Sequence, residues 1–547
     1  MTMRGLTERH NLPAHVDAVV IGAGFGGMYM LYKLRQLDMS AIVIEAADDV
    51  GGTWYWNAYP GARCDVESLS YSYTFDSELR EQWKWSERYS AQPEILNYAR
   101  HVADKHDLRR DMVFGARVTT MTWADDATEW RIETDRGDRV SARYAITAVG
   151  SLSTVQTPCF PGLESFEGEW RHTGRYPRHG ADLKGKRVAL VGTGSSGIQA
   201  APAMAKDAGH LYVLQRTAQF TVPAHNAPLE GAVLEQCLKS FEASKAMATM
   251  ARAMPLGANP KTTFEYTPEE REAVLEAHWK RGGFGIFVAF KDSMTDLEAN
   301  EVVAEFARRK IREIVKDPAT AERLTPRGYP FGAKRLPIDS GYYALFNEPH
   351  VSLIDIKSDP IERITPTGIR LASAKEIEVD SIVFATGFDA VTGPLNAIDI
   401  RGSRGLSLRE KWKSGARTYL GIASAGFPNL FMLTGPGSPG VLANVIRGIE
   451  QHANWLGDLF IAAKTRGSAR IEADREFEDR WVEHVGEIAD ATLYPMADSW
   501  YVGANIPGKP RKFLLYVNGE AMYQAIIDEV AKKNYEGFHL QETSTGV

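Results

Sequence analysis

Two glycine runs in this chain sit where a backbone would have to meet a phosphate. The first, VDAVVIGAGFGGMYMLYKL, carries Gly22, Gly24, Gly26 and Gly27; the second, KRVALVGTGSSGIQAAPAMA, carries Gly192, Gly194 and Gly197. Each follows a short apolar run and opens a helical pattern. In that setting G-x-G-x-x-G makes a tight strand-to-helix turn whose N–H groups meet a pyrophosphate. One match is weak, because glycine-rich turns are common. Two imply two dinucleotides on one polypeptide, and a hydride passed between them. The next strand of each unit tells the sites apart. SAIVIE ends at Glu45, a carboxylate able to accept hydrogen bonds from ribose hydroxyls. HLYVLQRT ends at Arg216 and Thr217; a guanidinium binds a 2′-phosphate bidentately, where a carboxylate would repel it. The first unit therefore reads as an FAD site and the second as an NADPH site.

The elements that must position these turns give an α/β fold: two Rossmann-like dinucleotide-binding domains, with a helical insertion in the NADPH domain. Residues 1–15 read as a flexible arm. The FAD domain is expected over 16–153 and again over 387–540, with the NADPH domain, 154–386, set between its two parts. Within the latter, about 225–325 is rich in Ala, Glu, Lys and Arg at helical spacing, as in EEREAVLEAHWK and ANEVVAEFARRKIREIV. QPEILNYARHVADKHDL has helical periodicity with Pro93 near its start. Residues 113–150 alternate apolar and polar side chains around turns such as DRGD, an antiparallel excursion. Residues 541–547 read as a disordered tail.

At 547 residues the chain is long enough for two to four domains. Its 44% apolar and 24% charged content is that of an ordinary soluble globular protein. A net charge of −7 without long runs of one sign argues against a nucleic-acid or polybasic membrane role. The N-terminus has no secretory h-region, and no stretch of 18 apolar residues occurs. Cys64, Cys159 and Cys237 are too few for a disulfide framework and suit a reducing cytoplasm. The 13 histidines show no metal-ligand spacing, so no metal is expected. Nothing fixes the oligomeric state; a monomer is the expectation.

Residues 51–65 read GGTWYWNAYPGARCD. This segment closely resembles a fingerprint of type I Baeyer–Villiger monooxygenases, with Gly52, Trp54, Tyr59, Pro60, Gly61 and Asp65 at the family's positions. A second family signature, F-x-G-x-x-x-H-x-x-x-W-P, is matched by FEGEWRHTGRYP through Phe166, Gly168, His172 and Pro177. Tyr176 stands where the family has Trp; related flavin N- and S-monooxygenases place Tyr or Phe there. Further matches are ATGFDA, RTYLGIASAGFPNLFMLTGPGSP and SWYVGANIPGKP. The resemblance spans about residues 15–540 and is nearest the phenylacetone and steroid monooxygenase branch.

The resemblance implies that NADPH reduces FAD, that reduced flavin and O2 form a C4a-peroxyflavin, and that this anion attacks a ketone to give an ester or lactone. Such an anion needs a fixed cation and a site that excludes water. Arginine suits it better than lysine, because it stays charged and donates in a rigid fork. By the resemblance the catalytic pair is Arg335, in YPFGAKRLPIDSGYY, and Asp65, which holds it. FAD contacts implied are Gly22, Gly24, Gly26, Gly27, Glu45, Thr53, Trp54, Tyr55, Trp56, Asp65, Tyr71, Val118 and Val445. NADP contacts implied are Arg63, Cys64, Gly192, Thr193, Gly194, Ser195, Ser196, Gly197, Ile198, Gln199, Arg216, Thr217, Lys334, Arg335 and Trp500, the last on a mobile loop. Substrate shape falls to Ser438, Pro439, Gly440, Val441 and Leu442. The rival within flavin chemistry is N- or S-oxygenation, which has no use for a fixed cation at the flavin. A disulfide reductase would need a paired redox cysteine, and no C-x-x-C or C-x4-C exists.

Overall fold

The computed structural model describes residues 12–248 and 259–542. Strand β1 (His15–Ile21) enters helix α1 (Phe25–Gln36) through the first glycine turn and returns as β2 (Ala41–Ile44). β1 is almost continuously buried, as befits a parallel strand covered on both faces. It lies centrally in an eight-stranded sheet. Val118–Ala124, Glu129–Thr134 and Arg139–Thr147 form the antiparallel excursion on one side, and Met112–Val113 closes the other. Two short strands from far along the chain join it: Asp399–Arg401 pairs with Val118–Ala124, and Leu430–Met432 with Arg139–Thr147.

The second unit repeats the plan. β3 (Arg187–Val191) leads through α2 (Ser195–Met204) to β4 (His210–Gln215), and the two strands belong to an all-parallel five-stranded sheet with Val351–Asp355, Ser381–Phe384 and Glu169–His172. A parallel pair, Val222–Pro223 with Ile338–Asp339, brackets a helical stretch. Its helices have explicit starts: Thr267 and Glu270 form a capping box for Pro268–Arg281, and the Asp296 carboxylate accepts from the Ala299 amide at 2.8 Å. Residues 249–258, within the expected insertion, lie outside the described residues.

Two chain-end expectations need adjustment. Of the arm over 1–15, residues 1–11 lie outside the described residues, but Leu12 already packs against the first sheet and His15 opens β1. Of the tail over 541–547, Gln541 and Glu542 belong to Phe538–Glu542, held by antiparallel pairing with Ser468–Ala473; the rest lies outside the described residues. Among the described residues no helix is long and apolar enough to cross a membrane.

Helix α3 (Val445–Thr465) covers α1 and carries His452, which is 1% exposed. Its Nδ1 accepts from the Thr434 amide at 3.1 Å, and Nε2 lies 2.7 Å from the Tyr523 hydroxyl. That hydroxyl gives its single proton to the Leu420 carbonyl, so Nε2 must carry the imidazole hydrogen. Burial holds this imidazole down to about 4. The unfolded chain therefore binds a proton below about pH 6.5 that the fold refuses until about pH 4, and stability falls with pH across that window. His452→Gln cannot titrate. The stability advantage of wild type over this variant should shrink by up to about 3 kcal/mol between pH 7 and pH 4. Urea unfolding at the two pH values measures it; a constant difference would mean that the imidazole titrates normally.

Candidate active site

Glycine is required at each turn for a different reason. Gly22 and Gly192 have φ of +105° and +109°, and a Cβ on either would meet a carbonyl oxygen, of Ala148 or Ala385, within 2.6 Å. Both helices begin at a glycine with no side-chain cap, Gly24 and Gly194, leaving their first N–H groups for a ligand. A Cβ at Gly194 would meet nothing within 4 Å. Backbone geometry thus leaves room over the second turn, as a pyrophosphate requires.

Beside the first turn, Glu45 is buried, and its two oxygens accept from the amides of Ala23 at 2.6 Å and Ala47 at 2.7 Å. Burial pushes this carboxyl up while those amides oppose it. Each oxygen keeps a second lone pair for a ribose hydroxyl, so Glu45 ties the turn together in addition to the role expected of it. A cleft of about 280 Å³ opens between residues 46–56 and 175–178. There the Arg175 guanidinium lies 4.4 Å over the Trp56 ring and that of Arg178 lies 4.3 Å over Tyr55. Trp54 is buried, its indole N–H donating to the Tyr71 hydroxyl at 3.0 Å. Thr53 is exposed at the head of the short helix Thr53–Trp56. Val118 opens its strand of the first sheet, and Val445 opens α3.

Beside the second turn, the Thr193 hydroxyl donates to the Thr217 carbonyl at 2.9 Å, closing the loop under Arg216. Arg216 is exposed, and among the described residues its guanidinium makes no ion pair. Lys334 stands close by, its ammonium 4.5 Å over the Tyr329 ring. Burial, then Arg216 and Lys357, pull this ammonium down while Asp498 opposes them. Three cations gathered with one carboxylate among them make a seat for an anion.

The two halves meet at residues 59–65. The Tyr59 hydroxyl donates to Gln199 Oε1 at 2.8 Å; Gln199 Nε2 donates to the Arg63 carbonyl at 3.1 Å and to Asp65 Oδ1 at 3.2 Å. Asp65 Oδ2 receives both Nε and Nη2 of Arg335, each at 3.2 Å, and Nη1 donates to the Val441 carbonyl at 2.9 Å. The Phe284 ring lies 5.1 Å from the guanidinium carbon. Burial opposes the charge on Arg335, but Asp65, Tyr501 and Cys64 more than offset it, so the guanidinium is held above its usual range. Burial raises the Asp65 carboxyl, and Arg335, the Ile338 amide and Gln199 draw it back. The pair, a permanent cation held by a carboxyl, lies at the seam of the two nucleotide-binding halves. Ser438, Pro439 and Gly440 are buried, with the Ser438 hydroxyl donating to the Gly435 carbonyl at 2.7 Å; Val441 and Leu442 are half-buried.

Other expected residues are engaged differently. Arg63 spends its guanidinium on Glu87 at 3.0 Å and the Tyr89 carbonyl at 2.7 Å. Burial pushes the Cys64 thiol up to about 12, so it is no nucleophile, and neither Cys159 nor Cys237 pairs with it.

A family model described as pyridine nucleotide-disulphide oxidoreductase matches residues 19–253. A Baeyer–Villiger monooxygenase of Pseudooceanicola batsensis is 42% identical over 540 residues, covering 98% of each chain. The chain belongs to the Baeyer–Villiger monooxygenase family. A solved steroid monooxygenase bound to NADP is 45% identical, with a TM-score of 0.91 over 97% of this chain and all of that one. A phenazine N-monooxygenase of Lysobacter antibioticus is 41% identical over 97% of this chain and 98% of its own.

Against the Baeyer–Villiger pattern, the departing residue Tyr176 lies at the edge of the cleft beside Arg175. The residue is 3% exposed among Tyr59, Ala62 and Leu183, and its hydroxyl has no partner among the described residues. Gln199 and Val441 are expected at this Baeyer–Villiger site, but for other roles: Gln199 as a contact of the second turn, Val441 through its side chain in the substrate loop rather than through its carbonyl. Phe284, over the guanidinium, carries no signal in the sequence.

Proposed function

We propose that this chain is an NADPH- and O2-dependent monooxygenase that inserts one oxygen atom beside a ketone carbonyl, giving an ester or lactone. FAD is bound at the first glycine turn and NADP(H) at the second. The observation that carries the reading is the Asp65–Arg335 pair at the seam between them. Bound FAD, reduced by NADPH, supplies the activation of O2. The chain's own residues do the rest. Glu45, Trp54, Tyr71 and the amides of the first turn hold one dinucleotide. Thr193, Arg216, Thr217 and Lys334 hold the other. Arg335 keeps a positive charge where oxyanions form, and Asp65 and Gln199 fix its direction. The Phe284 ring covers the guanidinium on one side. On this reading the working unit is a monomer in a reducing cytoplasm, which three unpaired cysteines support for the compartment.

A panel of linear and cyclic ketones with NADPH, scored by ester formed rather than NADPH lost, tests the reading. The likeness to a phenazine N-monooxygenase supports a second one, oxygenation at nitrogen, so the panel includes an aromatic N-heterocycle. N-oxide without ester from any ketone would favour that second reading.

Cofactor choice follows from Arg216. A charge-assisted hydrogen bond contributes roughly 1.5–3 kcal/mol, so Arg216→Ala should weaken NADPH use about tenfold or more while leaving NADH unchanged. The measurement is kcat/KM for both cofactors. A wild type indifferent to the 2′-phosphate would remove Arg216 from the site.

A further inference from the structure

Arg88 is a buried cation that neither nucleotide turn uses. It is 4% exposed and lies in a segment, 86–92, that has a neighbour on each side. On one side the segment pairs with the residues around Asp65. The Ser68 amide donates to the Arg88 carbonyl at 2.8 Å, the Cys64 amide to the Ser90 carbonyl at 3.2 Å, and the Gln92 amide to the Ala62 carbonyl at 2.8 Å. On the other it pairs with the head of the helical insertion, the Arg88 amide donating to the Ala227 carbonyl at 3.0 Å and the Leu229 amide to the Ser86 carbonyl at 2.9 Å. The Arg88 side chain spans the same two neighbours. Its Nε and Nη2 donate to Glu67 Oε1 at 3.0 and 2.8 Å, and its Nη1 donates to the Arg281 carbonyl at 2.8 Å.

Arg281 ends the helix Pro268–Arg281, where the last carbonyls lack partners within the helix and favour a cation. The turn that follows leads into the short helix Gly283–Val288, and Phe284 near its start lies over Arg335, 5.1 Å from ring centroid to guanidinium carbon. Gly283, with φ of +70°, is seated on Tyr89: a Cβ there would lie 2.3 Å from the Tyr89 hydroxyl oxygen. The Arg335 guanidinium thus has Asp65 on one side and Phe284 over it, and Arg88 joins the segments that carry those two residues. Stability alone gives no reason for an arginine here, since a buried ion pair costs desolvation that an apolar pair of the same volume avoids. An apolar pair cannot hold a carboxylate on one segment and a carbonyl on another in one rigid fork.

We propose that Arg88 is a positioning residue, seating the 281–288 turn against the Asp65 segment so that Phe284 covers Arg335 and keeps water from that side of the cation. The proposal rests on the role proposed for Arg335.

Arg88→Lys keeps a charge for Glu67 but cannot hold Glu67 and the Arg281 carbonyl together. NADPH should still reduce the enzyme, while the ratio of ester to hydrogen peroxide falls about threefold or more, the worth of one hydrogen bond. In a Phe284→Leu background the same change should lower the ratio no further, because Arg88 acts through that ring. An unchanged ratio, or an equal fall with and without Phe284, would mean a merely structural role and overturns the proposal. Gly283→Ala displaces the turn without touching the buried charge, and so serves even if Arg88→Lys fails to fold. It should lower the ratio likewise; a wild-type ratio overturns the proposal. Hydrogen exchange of the 282–288 amides needs no turnover. It should be faster by about tenfold in Arg88→Lys, and unchanged exchange overturns the proposal. If wild type forms no ester from any ketone, the functional reading fails instead, and exchange still decides whether Arg88 holds the turn.

Discussion

Arg335→Ala is expected to oxidise NADPH and make almost no ester. On the proposed reading hydride transfer rests mainly on the two glycine turns, Glu45 and Arg216, so reduction should persist, slowed only by the loss of one contact to NADP. Oxygen insertion depends on a positive charge held where negative charge develops. On the proposed reading Arg335 supplies it from a half-buried position, braced by Asp65 through two N–H groups and by the Val441 carbonyl through a third. Removing one preorganised electrostatic partner costs roughly 10²–10³ in rate, so ester yield should fall by about that factor while hydrogen peroxide takes up the NADPH consumed. Arg335→Lys should restore little, because an ammonium on a flexible stem cannot span Asp65 and Val441 together. Asp65→Ala should share part of the defect, since it leaves the guanidinium aimed by the Val441 carbonyl alone. Ester and peroxide counted together per NADPH, with each variant, measure this. Near wild-type ester from Arg335→Ala would take the residue out of the chemistry, whatever the family.

What could be read in advance follows from how each feature is written in the chain. Both nucleotide units are continuous, with strand, turn and helix consecutive and glycines at fixed spacing, so local pattern suffices. The contrast between Glu45 and Arg216 is legible for the same reason. Asp65 and Arg335 lie far apart in sequence, and neither residue type is unusual where it stands. Only the resemblance over 51–65 and 329–343 pairs them. The returns of Asp399–Arg401 and Leu430–Met432 to the first sheet are three-residue strands, too short to show any alternation. Gln199 was legible as part of the second turn but not as the residue joining Tyr59, Arg63 and Asp65, since that depends on how two halves dock. Val441 contributes a backbone carbonyl, for which no residue type is a sign.

The docking of those halves makes Gly61→Ala the change with the largest expected effect on the fold. Gly61 has φ of +83°, and a Cβ there would lie 2.2 Å from the Gln199 carbonyl oxygen and 3.1 Å from the Ala203 Cβ. An L-residue in the left-handed region costs about 1–2 kcal/mol, and forcing a packed backbone apart about 1–3 kcal/mol more. The sum, about 2–5 kcal/mol, should lower the thermal midpoint by several degrees. The displacement has a direction. It pushes residues 59–65 off helix α2, which stretches the bonds of Gln199 to Tyr59 and Asp65 and shifts the carboxylate that aims Arg335. Ester yield should therefore fall beyond what stability alone explains, as measured well below the midpoint. Gly194→Ala is the control: a Cβ there meets nothing within 4 Å of protein, so the apo midpoint should hold while affinity for NADP+ drops, because the space is the cofactor's. If both variants melt and bind alike, close backbone approach is not what joins the two halves. If Gly61→Ala loses stability but keeps its ester yield, Asp65 does not depend on the seam for its position.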